Sequence, residues 1–358
     1  MIHRLFFIIT FIGVPLSVIG SLMHWNEILL FVIFCLTIVA LAGIMGRATE
    51  SLAIISGPRI GGLLNATFGN AVELIIAIFA LQNGLVEVVL ASLTGSVIGN
   101  LLLVGGLSFF VGGLKYKRQN FSVYDARHNS GLLIFAIVLA FVIPEIFSAS
   151  MNYSYEVNFN KTMTLSVGVS VILILLYLAA LYFKLVTHRG VYVTKSTEVE
   201  EEHEEAEWGK WKSIIILGIA TVAVGYVSEK LVHTFSTVGT EFGWSELFIG
   251  IIIVAIVGNA AEHASAIVMA YKNKVGISVE IAVGSSLQIA MFVAPVLVIC
   301  SLFIGHRMPL IFSAPELISM ITSVFLTIAI MNDGDTNWFE GLTLLCAYGI
   351  MGIGFYLL

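Results

Sequence analysis

Apolar residues form long runs along this chain, and short polar breaks divide them. A helix that crosses a bilayer needs about 20 apolar residues. The runs predict eleven such spans: 5–22, 27–55, 62–82, 85–113, 128–148, 161–186, 211–237, 246–271, 276–303, 311–331 and 338–357. The breaks carry turn residues, as in Ser56-Gly57-Pro58-Arg59, Gln82-Asn83-Gly84 and Asn332-Asp333-Gly334-Asp335. The expected fold class is an all-α polytopic membrane protein. The first run follows Arg4 and has the outline of a secretory leader. The bulky Ser21-Leu22-Met23-His24-Trp25 after it offers no small-residue cleavage site, so a retained span is expected.

The pattern is duplicated. Gly69-Asn70-Ala71-Val72-Glu73 returns as Gly258-Asn259-Ala260-Ala261-Glu262, and Gly95-Ser96 returns as Gly284-Ser285. Each pair lies 189 positions apart (69 to 258, 73 to 262, 95 to 284). Glu73 falls on the third expected span and Glu262 on the eighth. An odd step of five makes the copies cross the bilayer in opposite directions. Inverted repeats of this kind build many secondary transporters, with the substrate near the midplane. The expected organisation is 1 + (5+5): an extra span within 1–26, a five-helix repeat over 27–186, an acidic linker over 187–210 and a second repeat over 211–358.

Composition and charge refine this picture. Only 11% of residues are charged, against about a quarter in soluble domains, which supports membrane residence. The net charge of −6 is dominated by seven glutamates within 198–207. The remainder is close to neutral, so no nucleic-acid partner is expected. Cys35, Cys300 and Cys346 sit in apolar runs without disulfide or zinc spacing, and no cofactor is expected. Of the Lys and Arg residues, thirteen fall on the side of the N-terminus. Only Lys161, Lys230 and Arg307 fall on the other, while Arg47 lies within a span. Positive charge marks the cytoplasmic side. The N-terminus and linker are therefore expected inside and the C-terminus outside, in a membrane that the short tails suggest is a prokaryotic plasma membrane. The acidic run reads as a solvated linker or as a cytoplasmic collector of divalent cations.

Glu73 and Glu262 are the chemistry-bearing residues. A charged side chain at the bilayer centre costs about 2.5–3.5 kcal/mol. Each lies about ten residues from a span end, roughly 15 Å deep at 1.5 Å per residue. One reading is a protonated glutamate bonded to a neighbouring helix. The other is a carboxylate pair that takes a hard divalent cation through oxygen. Two ionised carboxylates brought together repel, so protons compete with the metal. Asn70 and Asn259 lie one turn before the glutamates on the same face. Ser96 and Ser285 follow them by 23 positions (73 to 96, 262 to 285), on the next span. Gly69 and Gly258 either loosen the helix to expose carbonyls or permit close packing. Asn100 and Gln288 are secondary candidates one turn beyond the serines. His263, where the first copy has Leu74, either tunes proton affinity or is a core histidine. Glu50 and Glu229 form a second acidic pair toward opposite mouths, although Arg47 and Lys230 beside them leave ordinary ion pairing open.

These residues carry a resemblance to the cation/proton exchanger (CAX) family of the calcium:cation antiporter superfamily. The first family motif is similar to Gly61-Gly62-Leu63-Leu64-Asn65-Ala66-Thr67-Phe68-Gly69-Asn70-Ala71-Val72-Glu73-Leu74-Ile75. The second resembles Gly258-Asn259-Ala260-Ala261-Glu262-His263, continuing to Ala282-Val283-Gly284-Ser285-Ser286-Leu287-Gln288-Ile289. The likeness covers essentially the whole chain. It implies a sodium/calcium-exchanger-like fold and export of Ca2+ driven by inward H+, with Glu73 and Glu262 as central ligands. The partners implied are Ca2+, H+ and the lipid bilayer, with homo-oligomerisation open. Sodium/calcium exchangers of the same fold carry a more Ser/Thr-rich sequence before the glutamate, so Asn70 and Asn259 argue against sodium coupling. Exchange of Mn2+ or another divalent stays open, as does a cation channel. A metalloenzyme is disfavoured, since no His-Glu-x-x-His occurs.

Overall fold

The computed structural model describes residues 2–151, 154–187 and 206–358. Helices dominate: α1 (Ile2–Leu22), α2 (Glu27–Phe68), α3 (Ala71–Gln82), α4 (Val86–Lys115), α5 (Ala126–Ala149), α6 (Tyr155–Thr187), α7 (Lys210–Phe242), α8 (Glu246–Gly258), α9 (Ala260–Tyr271), α10 (Val275–Ile304), α11 (Ala314–Met331) and α12 (Trp338–Leu357). Two strands of two residues each depart from the all-α expectation: β1 (Gln119–Asn120) pairs antiparallel with β2 (Asp335–Thr336), and Arg118 bonds Asp335 of β2.

Nine helices among the described residues are long and apolar enough to cross a membrane, or ten if the bent pair α8 and α9 is one span. The expected eleven is not reached on this measure, because the segment expected at 62–82 is divided. Helix α2 starts at an Asn26 cap, whose side chain accepts from the Ile28 and Leu29 amides, and runs past a kink at Gly57. Gly57 adopts φ 79°, a conformation glycine tolerates, and Pro58 suits the start of the helix that follows. After Phe68 the chain turns at Gly69-Asn70 and restarts as α3, which alone is too short to span.

The chain forms two compact units. The first comprises Met1–Phe79, Leu178–Trp244 and Val257–Ala261. Its core joins α2 to α7 along two apolar stripes at helical spacing. Leu41, Met45, Ala48 and Leu52 are buried on one helix, and Ala220, Val224, Val227 and Leu231 on the other. Each residue of the second stripe lies 179 positions after its counterpart (41 to 220, 52 to 231), so duplicated helices use the same face. Helix α1 lies on α2, with Gly13 seated on Thr37 and Gly43 on Phe6.

The second unit comprises Ala80–Tyr177, Ser245–Ile256 and Glu262–Leu358. Here α4 and α8 approach through glycine. A Cβ at Gly95 would lie 2.1 Å from the Ile251 carbonyl oxygen, and one at Gly250 would lie 2.5 Å from Ala91. Small residues that let helix backbones touch are the usual membrane solution. Helices α4 and α10 each carry a π-turn just beyond their serine, at Gly99–Val104 and Ile289–Val293. Single π-turns of this kind gather at functional sites.

Candidate ion-binding site

Both Gly-Asn motifs end one helix and begin another. The first turns at Gly69-Asn70, and Glu73 lies in the first turn of α3. The second turns at Asn259, where α8 and α9 bend by 62°, and Glu262 lies in the first turn of α9. Backbone amides at a helix start favour negative charge, which offsets part of the cost of burying an ionised carboxylate at either glutamate.

The first unit holds Asn70, Glu73, Gly258 and Asn259. Glu73 is 0% exposed, Asn259 2% and Asn70 3%. A Cβ at Gly258 would lie 3.3 Å from the Glu73 Cβ and 3.4 Å from its Cα. The second motif's glycine therefore rests on the first motif's glutamate. Gly69 has ordinary right-handed helical backbone (φ −54°), and its amide donates to the Asn65 carbonyl. Next to Gly258, Ala261 lies against Gly46 of α2.

The second unit holds Glu262, Ser96, Ser285, Asn100, His263 and Gln288. The Ser285 hydroxyl donates to Glu262 Oε2 at 2.5 Å, a charge-assisted geometry when the carboxylate is ionised. Glu262 itself is only half-buried. His263 Nε2 lies 3.2 Å from Asn100 Oδ1, which makes Nε2 the donor. That bond joins residues 163 positions apart and ties α9 to the π-turn of α4. Ser96 is buried on α4, and Gln288 is half-buried beside the π-turn of α10. No group of three His, Cys, Asp or Glu side chains suited to a metal occurs among the described residues.

The second acidic pair behaves otherwise. Glu229 forms an ion pair with Lys230 at 3.3 Å, and Glu50 is exposed. Arg47 pairs at 3.6 Å with Glu207 and sits over the Phe6 and Phe7 rings. Glu207 is the last glutamate of the acidic run; Glu198, Glu200, Glu201, Glu202, Glu204 and Glu205 lie outside the described residues.

Sequence reasoning missed one buried carboxylate. Glu316, at the start of α11, accepts from the Ser313 hydroxyl and backbone amide and from Thr94 of α4. Ser313-Ala314-Pro315-Glu316 is a capping box, a signal legible in the sequence.

Two broken helices, each opening on a glutamate, define a polytopic helical membrane protein with the sodium/calcium exchanger fold. The chain belongs to the family described as "Sodium/calcium exchanger protein", whose profile matches residues 26–186 and 212–357. It is 68% identical over 356 residues to the Ca(2+)/H(+) antiporter ChaA of Bacillus subtilis (strain 168), covering 99% of this chain and 100% of that protein. The structure of native YfkE matches with TM-score 0.85 at 63% identity, covering 99% of this chain and 100% of that one. The H+/Ca2+ exchanger CAX shares the fold at TM-score 0.69 and 16% identity, over 99% of this chain and 92% of that one.

Proposed function

We propose that this protein is a secondary antiporter that exports Ca2+ from the cytoplasm in exchange for H+, working by alternating access. The ion and its coupling follow from the relatives named as Ca2+/H+ antiporters, matched over nearly their whole length. Glu73 and Glu262 are the groups that carry either Ca2+ or protons. Asn70, Asn259, Ser96 and Ser285 supply further oxygens or orient the carboxylates. The observation that carries this assignment is the seat of Gly258 on Glu73, which brings the second copy's helix break onto the first copy's acid.

The repeats at 27–186 and 211–358 run in opposite directions, and the N-terminus and linker face the cytoplasm. Two carboxylates exchange about two protons for one divalent ion, an electroneutral cycle. A third proton through His263 would add voltage dependence of about 2.3 kcal/mol per net charge per 100 mV.

Proteoliposomes with an acidic interior test the reading. Ca2+ should accumulate inside, collapse of the pH gradient should stop it, and Glu73→Gln should abolish it. Absent uptake, or a Gln variant equal to wild type, overturns the proposal. Replacing the proton gradient with a sodium gradient or Ca2+ with Mn2+ in the same vesicles separates the related exchangers. Flux that persists at channel rates without a counter-ion would identify a channel.

A further inference from the structure

We propose that the cleft between α5 and α11 binds an anionic phospholipid, with Arg127 on its phosphate. The cleft has a volume of about 180 Å3. Arg127, Ser130 and Asn332 line it together with the apolar Ile134, Ile328 and Met331. Its depth relative to a bilayer follows from the helices that form it. Arg127 lies near the start of the helix that begins at Val123, and Asn332 directly follows the span Ala314–Met331. The polar mouth therefore falls where head groups meet hydrocarbon, and the apolar wall faces the acyl region.

Arg127 is held for such a role. Its Nη2 donates to the Asn332 backbone oxygen at 3.3 Å and to Asn332 Oδ1 at 3.2 Å. These contacts steer the guanidinium while Nη1 and Nε keep donors for an anion. Arg47 pairs with Glu207 and Arg118 with Asp335, whereas Arg127 forms no ion pair among the described residues. A guanidinium matches a phosphate diester through paired donors.

The groove also continues in the direction a lipid tail requires. Val138 lies four positions after Ile134 on α5, and Phe325 lies three before Ile328 on α11; both are exposed. Residues three or four apart share a helix face, so the apolar wall extends beyond the cleft on both sides. A free phosphate would use only the mouth. A lipid with an anionic head uses both ends, and basic pockets between transmembrane helices are known to take such heads.

The test is native mass spectrometry of the full chain in detergent, titrated with phosphatidylglycerol or with phosphatidylcholine of the same acyl chains. We expect phosphatidylglycerol to be retained at least fivefold better. Arg127→Gln should remove that preference, Arg127→Lys should keep part of it, and Ile328→Trp, which fills the groove, should lower retention of both lipids. Equal retention of the two lipids by the wild type overturns the proposal, as does an unchanged preference in Arg127→Gln. Should Arg127→Gln not fold, the wild-type comparison and Ile328→Trp still decide. Displacement of the lipid by an equal concentration of glycerol phosphate would make the site one for a soluble phosphate and end the lipid assignment. The readout is lipid retention, so the outcome is separate from that of the transport assay.

Discussion

Glu73 is fully closed off, with Gly258 against its backbone, whereas Glu262 is half-buried and holds the Ser285 hydroxyl at 2.5 Å. The two follow the same Gly-Asn step and open the same kind of half-helix. Their partners on the next span differ as well. A Cβ at Gly95 would collide with the Ile251 backbone, while one at Gly284 would meet nothing within 4 Å. A repeated motif fixes the local helix break, and packing decides how open each copy is. Under the proposed alternating access, this difference is what an inverted repeat should show in any one state, with the two environments exchanged in the other.

Removing either carboxylate should have the largest effect. Glu73→Gln and Glu262→Gln should each lower Ca2+ transport in vesicles by about 100-fold or more, since each loses charge-assisted ligation. Retained transport in one variant alone would break the equivalence of the two copies.

The glycines come next. Gly95→Ala puts a methyl group where Ile251 backbone stands, and overpacking of this kind costs about 1–3 kcal/mol. Its melting temperature and yield in detergent should fall, while Gly284→Ala stays near wild type. Equal behaviour of the two would remove the packing difference between the copies.

Ser285→Ala deletes the hydrogen bond to Glu262, and bonds to charged groups contribute about 1.5–3 kcal/mol. The Ca2+ half-saturation concentration should rise about tenfold, measured as uptake against Ca2+ at fixed pH. Gly258→Ala introduces a tighter but not impossible contact, 3.3 Å from the Glu73 Cβ. A rise of about threefold in half-saturation with unchanged melting is expected, on the scale of a small overpacking cost. A wild-type melting curve with wild-type transport would show that the Gly258 seat on Glu73 is incidental.

Much of the fold was legible because its causes are local. Transfer of apolar runs to lipid marks the helices, and the matched stripes on α2 and α7 follow from helical periodicity. Gly57-Pro58 announces its break through backbone preference. The span count was less legible. The turn at Gly69-Asn70 divides the third expected span, 62–82, a matter of backbone geometry that apolar content does not report.

Hydropathy and repetition, which need no knowledge of distant contacts, are enough to read this chain as a duplicated helical membrane protein with a matching glutamate in each Gly-Asn motif. The folded arrangement alone reveals that Gly258 rests on Glu73, that His263 meets Asn100, that Glu316 accepts from Thr94, and that Arg47 turns to Glu207. Those pairings depend on how each helix is rotated and where it crosses its neighbours. Side-chain packing across many residues sets both, and no short stretch of sequence encodes them.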